Sequence, residues 1–147
     1  MVKIAYVDSS VLVKHYLESE IDSFQASRYI TSYKVYASAI SKVEVLSALA
    51  RKFQLKEILK EEVKEIKDIF ILDCQRIGFI EVSDDVIKEA QRLVFSYSIK
   101  TLDALHLSSA ILLRRIIEAS FPLITADKKM IVVAESEGFE VIGVGIQ

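Results

Sequence analysis

Four acids, Asp8, Glu44, Asp103 and Asp127, stand at separated points of the chain, each against apolar or small neighbours. A carboxylate in such surroundings is costly unless something compensates its charge. Gathered by the fold, the four would make an oxygen-rich pocket suited to Mg2+ or Mn2+. Such a pocket supports metal-assisted phosphodiester hydrolysis. The ion lowers the pKa of a bound water and stabilises charge on the phosphoryl and leaving oxygens. Four carboxylates could serve one ion or two, a pair being typically ~3.5–4 Å apart.

Each acid also has a plainer reading. Asp8 follows Ile4-Ala5-Tyr6-Val7 and Asp127 follows Leu123-Ile124-Thr125-Ala126, so either can be a helix N-cap beyond a strand. Ser or Thr would cap as well, so two acids in that position exceed the need. Glu44 has Ile40, Ser47 and Ala48 at helical spacing and fits the edge of an apolar face. Asp103 falls in the first turn after Thr101, where the helix dipole favours a carboxylate by ~0.3–1 kcal/mol. His106 shares its face at i, i+3. This histidine can be a metal ligand, a general base, an orienting group or a core residue. His15 reads as a surface residue.

The elements that must position these acids alternate. Lys3–Val7 reads as a strand, Val11–Leu17 as a helix, and residues 20–33 as a second helix with apolar positions Ile21, Phe24 and Ile30. Lys34–Ser38 is a strand and Ile40–Phe53 a helix. Residues 56–78 carry a stripe, Leu59, Val63, Ile66, Phe70, Cys74 and Ile77, at helical spacing. Gly78 would stop that helix, with Cys74 a buried residue on it. Phe79–Val82 is a strand. Ser83 caps a helix to Tyr97, and Thr101 caps another to Ala119. Pro122 opens a strand at Leu123-Ile124, Asp127 opens a helix ending before Gly138, and Val141–Val144 is a last strand. This alternation predicts an α/β domain whose mainly parallel sheet is covered on both sides. Sites in such sheets gather beyond the carboxyl ends of the strands, where Asp8 and Asp127 would lie.

Composition narrows the class. A chain of 147 residues, 52% hydrophobic with four Gly and one Pro, suits one domain over 1–147 with a real core. The single cysteine excludes an internal disulfide and a Cys-rich zinc site. No apolar run nears the ~20 residues that span a bilayer, and the N-terminus lacks a signal-peptide layout. A cytoplasmic protein is expected. The net charge of −2 excludes a broadly basic nucleic-acid binder. A P-loop, a GxGxxG and a Ser-His-Asp order are absent. An aspartyl-nucleophile phosphatase would want a second Asp two residues after the first, where Ser10 stands.

Four segments now come together in order: Asp8-Ser9-Ser10-Val11-Leu12-Val13-Lys14, Ser41-Lys42-Val43-Glu44-Val45, Thr101-Leu102-Asp103-Ala104-Leu105-His106-Leu107 and Thr125-Ala126-Asp127. Together they resemble the PIN-domain ribonucleases, in particular the VapC-type toxins of toxin–antitoxin pairs. The resemblance implies a three-layer α/β/α sandwich around a five-stranded parallel sheet, and Mg2+- or Mn2+-dependent cleavage of RNA. Asp8 and Asp103 would anchor the main ion. Glu44 would act directly or through water, and Asp127 would complete the pocket or hold a second ion. Ser10 and Thr125 match hydroxyl positions that hydrogen-bond the acids, with Thr101 and His106 in support.

Lys100 stands where many relatives have Arg. Lys14, Lys42, Lys100 and Lys128, with Arg51, Lys52 and Lys129, are candidate phosphate contacts. The resemblance further implies a homodimer and a small VapB-like antitoxin lying in a groove beside the 40–78 helices, with Phe53 or Phe70 as an anchor. Two other readings stay open: a PIN nuclease of RNA processing without an antitoxin, and a catalytically idle protein-binding module.

Overall fold

A computed structural model describes residues 2–17 and 19–146. The chain runs β1 (Ile4–Val7), α1 (Ser9–Tyr16), α2 (Ser23–Ser32), β2 (Lys34–Ser38), α3 (Ser41–Gln54) and α4 (Lys60–Asp73). It continues through β3 (Gly78–Ile80), α5 (Asp84–Ser96), α6 (Thr101–Ile117), β4 (Leu123–Thr125), α7 (Lys128–Ser136) and β5 (Val141–Gly143). All strand pairs are parallel, in the order β3-β2-β1-β4-β5. From β1 the chain winds outward through β2 and β3. It then returns to pair β4 on the other side of β1 and winds out again to β5. The winding direction therefore reverses between β1 and β4, which is where ligands bind in open α/β sheets.

Both sheet faces are covered, which accounts for the nearly continuous apolar strands. Tyr6 and Leu123 face a core built with Leu93 of α5, Leu107 and Ile111 of α6 and Met130 of α7. Ala5, Val7 and Ile124 face the opposite core, with Val11 and Leu12 of α1, Ala26 of α2, Val45 of α3 and Phe70 of α4. The result is the expected three-layer α/β/α sandwich. Tyr16 pins α1 to α4. Its ring meets Phe70 edge-on at 5.0 Å between centroids, and its hydroxyl donates to Asp73 Oδ2 at 2.8 Å. Among the described residues, no helix is long and apolar enough to cross a membrane.

Several expectations need correction. The helix read over 56–78 spans only Lys60–Asp73. Its entry is fixed by the Glu62 carboxylate, which accepts from the Leu59 N–H at 3.1 Å. Cys74 is the half-buried C-cap rather than a buried helix residue, and Gly78 opens β3 rather than ending the helix. A Cβ at Gly78 would run into the Tyr36 ring on the neighbouring strand, so close packing selects glycine there. β3 ends at Ile80 instead of Val82. Ile21 and Phe24 lie exposed; α2 packs through Ala26, Tyr29 and Ile30. His15 is half-buried and bonded through Nδ1 to Ser27 Oγ at 2.8 Å, so it is not a free surface residue. Phe70, proposed as a partner anchor, is in the core at 1% exposure, while Phe53 is partly exposed.

Phe70→Ala should therefore cost about 3–5 kcal/mol of unfolding free energy, by lost burial plus cavity. Phe95→Ala, at a position 95% exposed, should stay within about 0.5 kcal/mol. Urea unfolding of the two variants checks both.

Candidate active site

The site begins where β1 stops. The Asp8 N–H still donates to the Ile124 carbonyl (3.3 Å), keeping the residue on β4, and Asp8 is also the N-cap of α1. Both oxygens of its carboxylate are engaged, with acceptor capacity left on Oδ2. Oδ1 accepts from the Ser10 N–H (3.1 Å) and Ser10 Oγ (2.5 Å), and Oδ2 accepts from Thr125 Oγ1 (2.5 Å). Each hydroxyl in turn accepts a backbone N–H from beyond β4, Ser10 Oγ from Ala126 (3.0 Å) and Thr125 Oγ1 from Asp127 (3.0 Å). The hydroxyl protons are thereby directed at Asp8. Asp127 caps α7 through Oδ1, which accepts from the Lys129 N–H at 2.9 Å. The capping reading of both acids is thus correct without excluding a second role.

Glu44 and Asp103 come in from helices, each in its first turn. Glu44 Oε1 accepts from Ser9 Oγ (2.7 Å) and meets His106 Nε2 (2.6 Å), while Ser9 Oγ lies 2.8 Å from Ser41 Oγ. Asp103 is half-buried, and no hydrogen bond to its carboxylate is found among the described residues. All four acids line one open cavity of about 520 Å³, together with Ser9, Ser10 and His106.

A larger cavity, about 1010 Å³, opens beside Lys3, Lys34 and Arg76. Its one carboxylate, Asp73, is held by Tyr16, so it lacks the acidic chemistry, and the smaller cavity is the better candidate.

Electrostatics support that choice. Burial pushes the Asp8 carboxyl above its ordinary range; the Ser10 and Thr125 hydroxyls and His106 pull it down, and the charge of Asp127 pushes it up. Asp103 is also raised, by burial first and then by the charges of Asp127, Asp8 and Glu44, against the pull of His106. Glu44 goes the other way. Burial pushes it up, but the hydrogen bonds from His106 and Ser9 outweigh that and hold it low. The carboxylates therefore feel one another, and a divalent cation would relieve the strain.

Among the described residues, no three His, Cys, Asp or Glu side chains are placed to hold a metal ion by themselves, so protein oxygens could supply only part of an ion's coordination. An open acidic lining suits an ion that keeps several of its waters, as Mg2+ does. On the chemistry of its oxygens, the donor set fits a hydrated hard cation.

The cations divide. Lys14 and Arg51 line the cavity, Lys14 bonding the Ile21 carbonyl at 2.9 Å. Lys42 instead lies over the Phe79 ring, 4.6 Å from its centroid, and Lys52 pairs with Glu20 and Glu57. Lys100, Lys128 and Lys129 are outside the lining. Thr101 is exposed, with Lys100 as the cap residue and no side-chain capping bond, so the expected Thr101 cap is not formed. Sequence reasoning missed Ser9, Ser41 and Glu20, the last of which also lines the cavity. The signal for Ser41 was its i, i+3 spacing from Glu44, on the same helical face.

An open parallel sheet with acids gathered at its switch point defines a class of α/β proteins with an acidic site beyond the carboxyl ends of the strands. The chain belongs to the PIN domain family, whose model matches residues 5–136. No curated protein matches the sequence. Similar solved structures include a toxin-antitoxin complex from Klebsiella pneumoniae, at 20% identity over 85% of this chain and 88% of that chain, TM-score 0.62. VapBC2 from Rickettsia felis bound to a promoter DNA fragment is similar at 16% identity, over 95% and 98% of the two chains, TM-score 0.65. VapC20 from Mycobacterium tuberculosis, a Sarcin-Ricin loop cleaving toxin, matches at 15% identity, over 92% and 95%, TM-score 0.64. At such identities the likeness is one of fold.

The raised Asp103 carboxyl has a consequence for stability. Its ionised form is disfavoured in the folded state, so it costs stability at pH values above its unfolded pKa, fully so above its folded pKa. Below the unfolded pKa the cost vanishes. Asp103→Asn should therefore raise the melting temperature of the cation-free protein at neutral pH, and the gain should fade towards pH 3. Thermal melts in chelator across that range check the sign.

Proposed function

We propose that this PIN-domain chain is a metal-dependent endoribonuclease, the toxin of a toxin–antitoxin pair, with Asp8, Glu44, Asp103 and Asp127 as its catalytic acids. The observation that carries the proposal is the gathering of these four carboxylates in one cavity at the switch point, where burial first and then the neighbouring charges raise Asp103. Family membership supports nuclease chemistry. The cleavage of a Sarcin-Ricin loop by VapC20 supports RNA as the substrate class. The toxin–antitoxin complexes among the similar structures support a small antitoxin partner. A homodimer and a single nuclease domain over 1–147 belong to the same reading. Of the two proposed anchors, only Phe53 has the exposure a partner needs.

In this reading Asp8 and Asp103 hold Mg2+ or Mn2+, and Asp127 completes the pocket. The ion supplies an activated water at neutral pH and charge stabilisation for the phosphoryl group. Ser10 and Thr125 keep Asp8 aimed at the cavity. Glu44 reaches the ion directly or through a bound water that it orients, and Lys14 and Arg51 bring the RNA phosphate to an otherwise acidic centre.

RNA cleavage with Mn2+ should be abolished by EDTA. Asp8→Asn should lower it by about 100-fold or more, since even outer partners of a metal site typically cost 10–100-fold. Circular dichroism should show the fold retained. Cleavage that survives both chelation and Asp8→Asn would falsify the mechanism.

A further inference from the structure

We propose that Ser41, Ser9 and His106 form a proton-ordered clamp that grips Glu44 by Oε1 alone and leaves Oε2 as the one acceptor Glu44 offers the cavity. The clamp deepens the nuclease reading and rests on it. In that scheme Ser9 and His106 are positioning residues that act through Glu44.

The donors can be counted. Ser9 Oγ and His106 Nε2 both meet Glu44 Oε1 at hydrogen-bond distance, and a carboxylate oxygen accepts, so both groups donate. Ser9 Oγ spends its only proton there, at 2.7 Å. Ser9 must then accept from Ser41, 2.8 Å away. His106 Nε2, at 2.6 Å from Oε1, must carry a hydrogen, and the same N–H leans towards Ser9 Oγ at 3.2 Å.

His106 Nδ1 is buried with no partner among the described residues. A hydrogen on Nδ1 would be an orphaned buried donor, whereas a bare lone pair is cheaper. The Nε2–H tautomer is therefore the one the site selects. In that form the Nε2 proton is committed to Glu44, which removes His106 from the roles of metal ligand and general base.

The clamp also has a structural logic. Ser9 starts α1, Ser41 and Glu44 belong to α3, and His106 lies on α6 in the opposite layer. Glu44, only half-buried and on a surface helix, would otherwise sample rotamers. Gripping one oxygen fixes where the other points.

Two measurements test the clamp. In the metal-free chain, long-range proton–nitrogen NMR should find the His106 hydrogen on Nε2; a hydrogen on Nδ1 would overturn the clamp whatever the activity. In calorimetric titration with Mn2+, His106→Leu should weaken binding about 10–100-fold, the range typical for lost outer partners. His106→Gln, whose side-chain amide can donate at the same point, should recover most of it, and Ser9→Ala should fall between. On RNA, kcat should fall in His106→Leu while KM stays within about twofold, because positioning rather than substrate binding is lost. Wild-type affinity in both His106→Leu and Ser9→Ala would sink the clamp and leave the nuclease reading standing. Wild-type protein that neither binds Mn2+ nor cleaves RNA would sink that reading instead, with the tautomer still deciding the clamp. If His106→Leu does not fold, Ser9→Ala and the tautomer carry the test.

Discussion

Repulsion among carboxylates is the constraint around which this molecule is arranged. Four like charges share one cavity at the edge of the sheet, and Asp103 feels each of the other three. Such a cluster is costly in an isolated fold. It persists because the sheet over-determines the backbone on which the acids stand. Asp8 follows a strand buried on both faces, and Asp127 follows the strand paired beside it. Neither can move off the edge without breaking the ladder or the hydroxyl bonds that join β1 to β4.

The two halves of the site solve the same problem differently. Asp8 is buried at 4% exposure and meets the cost with three directed donors, all from residues within three positions of the strand ends. Glu44 is more open and relies on donors carried by two other helices. Asp103 has neither arrangement, and its carboxyl stays above its ordinary range. Stability is thus spent at a single place, while the two cores on either side of the sheet, anchored by residues such as Phe70 and Leu107, supply it elsewhere.

Much of this was legible in the sequence because it depends on local signals. Apolar runs that end in an acid mark strands buried on both faces and the edge beyond them. The order of such runs, broken by helical stripes, gives the parallel sandwich. What stayed hidden depends on contacts between distant segments. The stripe over 56–78 could not reveal that Glu62 starts the helix late, nor that Gly78 belongs to a strand pressed against Tyr36. Thr101 looks like a cap in sequence, but Lys100 takes that position. The role of Ser9 needs Glu44, 35 residues away, and His106, 97 residues away, to be in place. Lys42 sits next to a motif and yet turns to Phe79, because its rotamer answers to β3 rather than to the acids.

The central proposal is that side-chain oxygens from distant segments share hydrated divalent metal, one ion or two. Anomalous diffraction from crystals of the chain soaked in Mn2+ tests this directly. The account predicts manganese signal inside the cavity, within direct or water-bridged reach of Asp8 and Asp103, with Oε2 of Glu44 turned towards it. A map with manganese only elsewhere on the surface, at concentrations where RNA is cut, would contradict it.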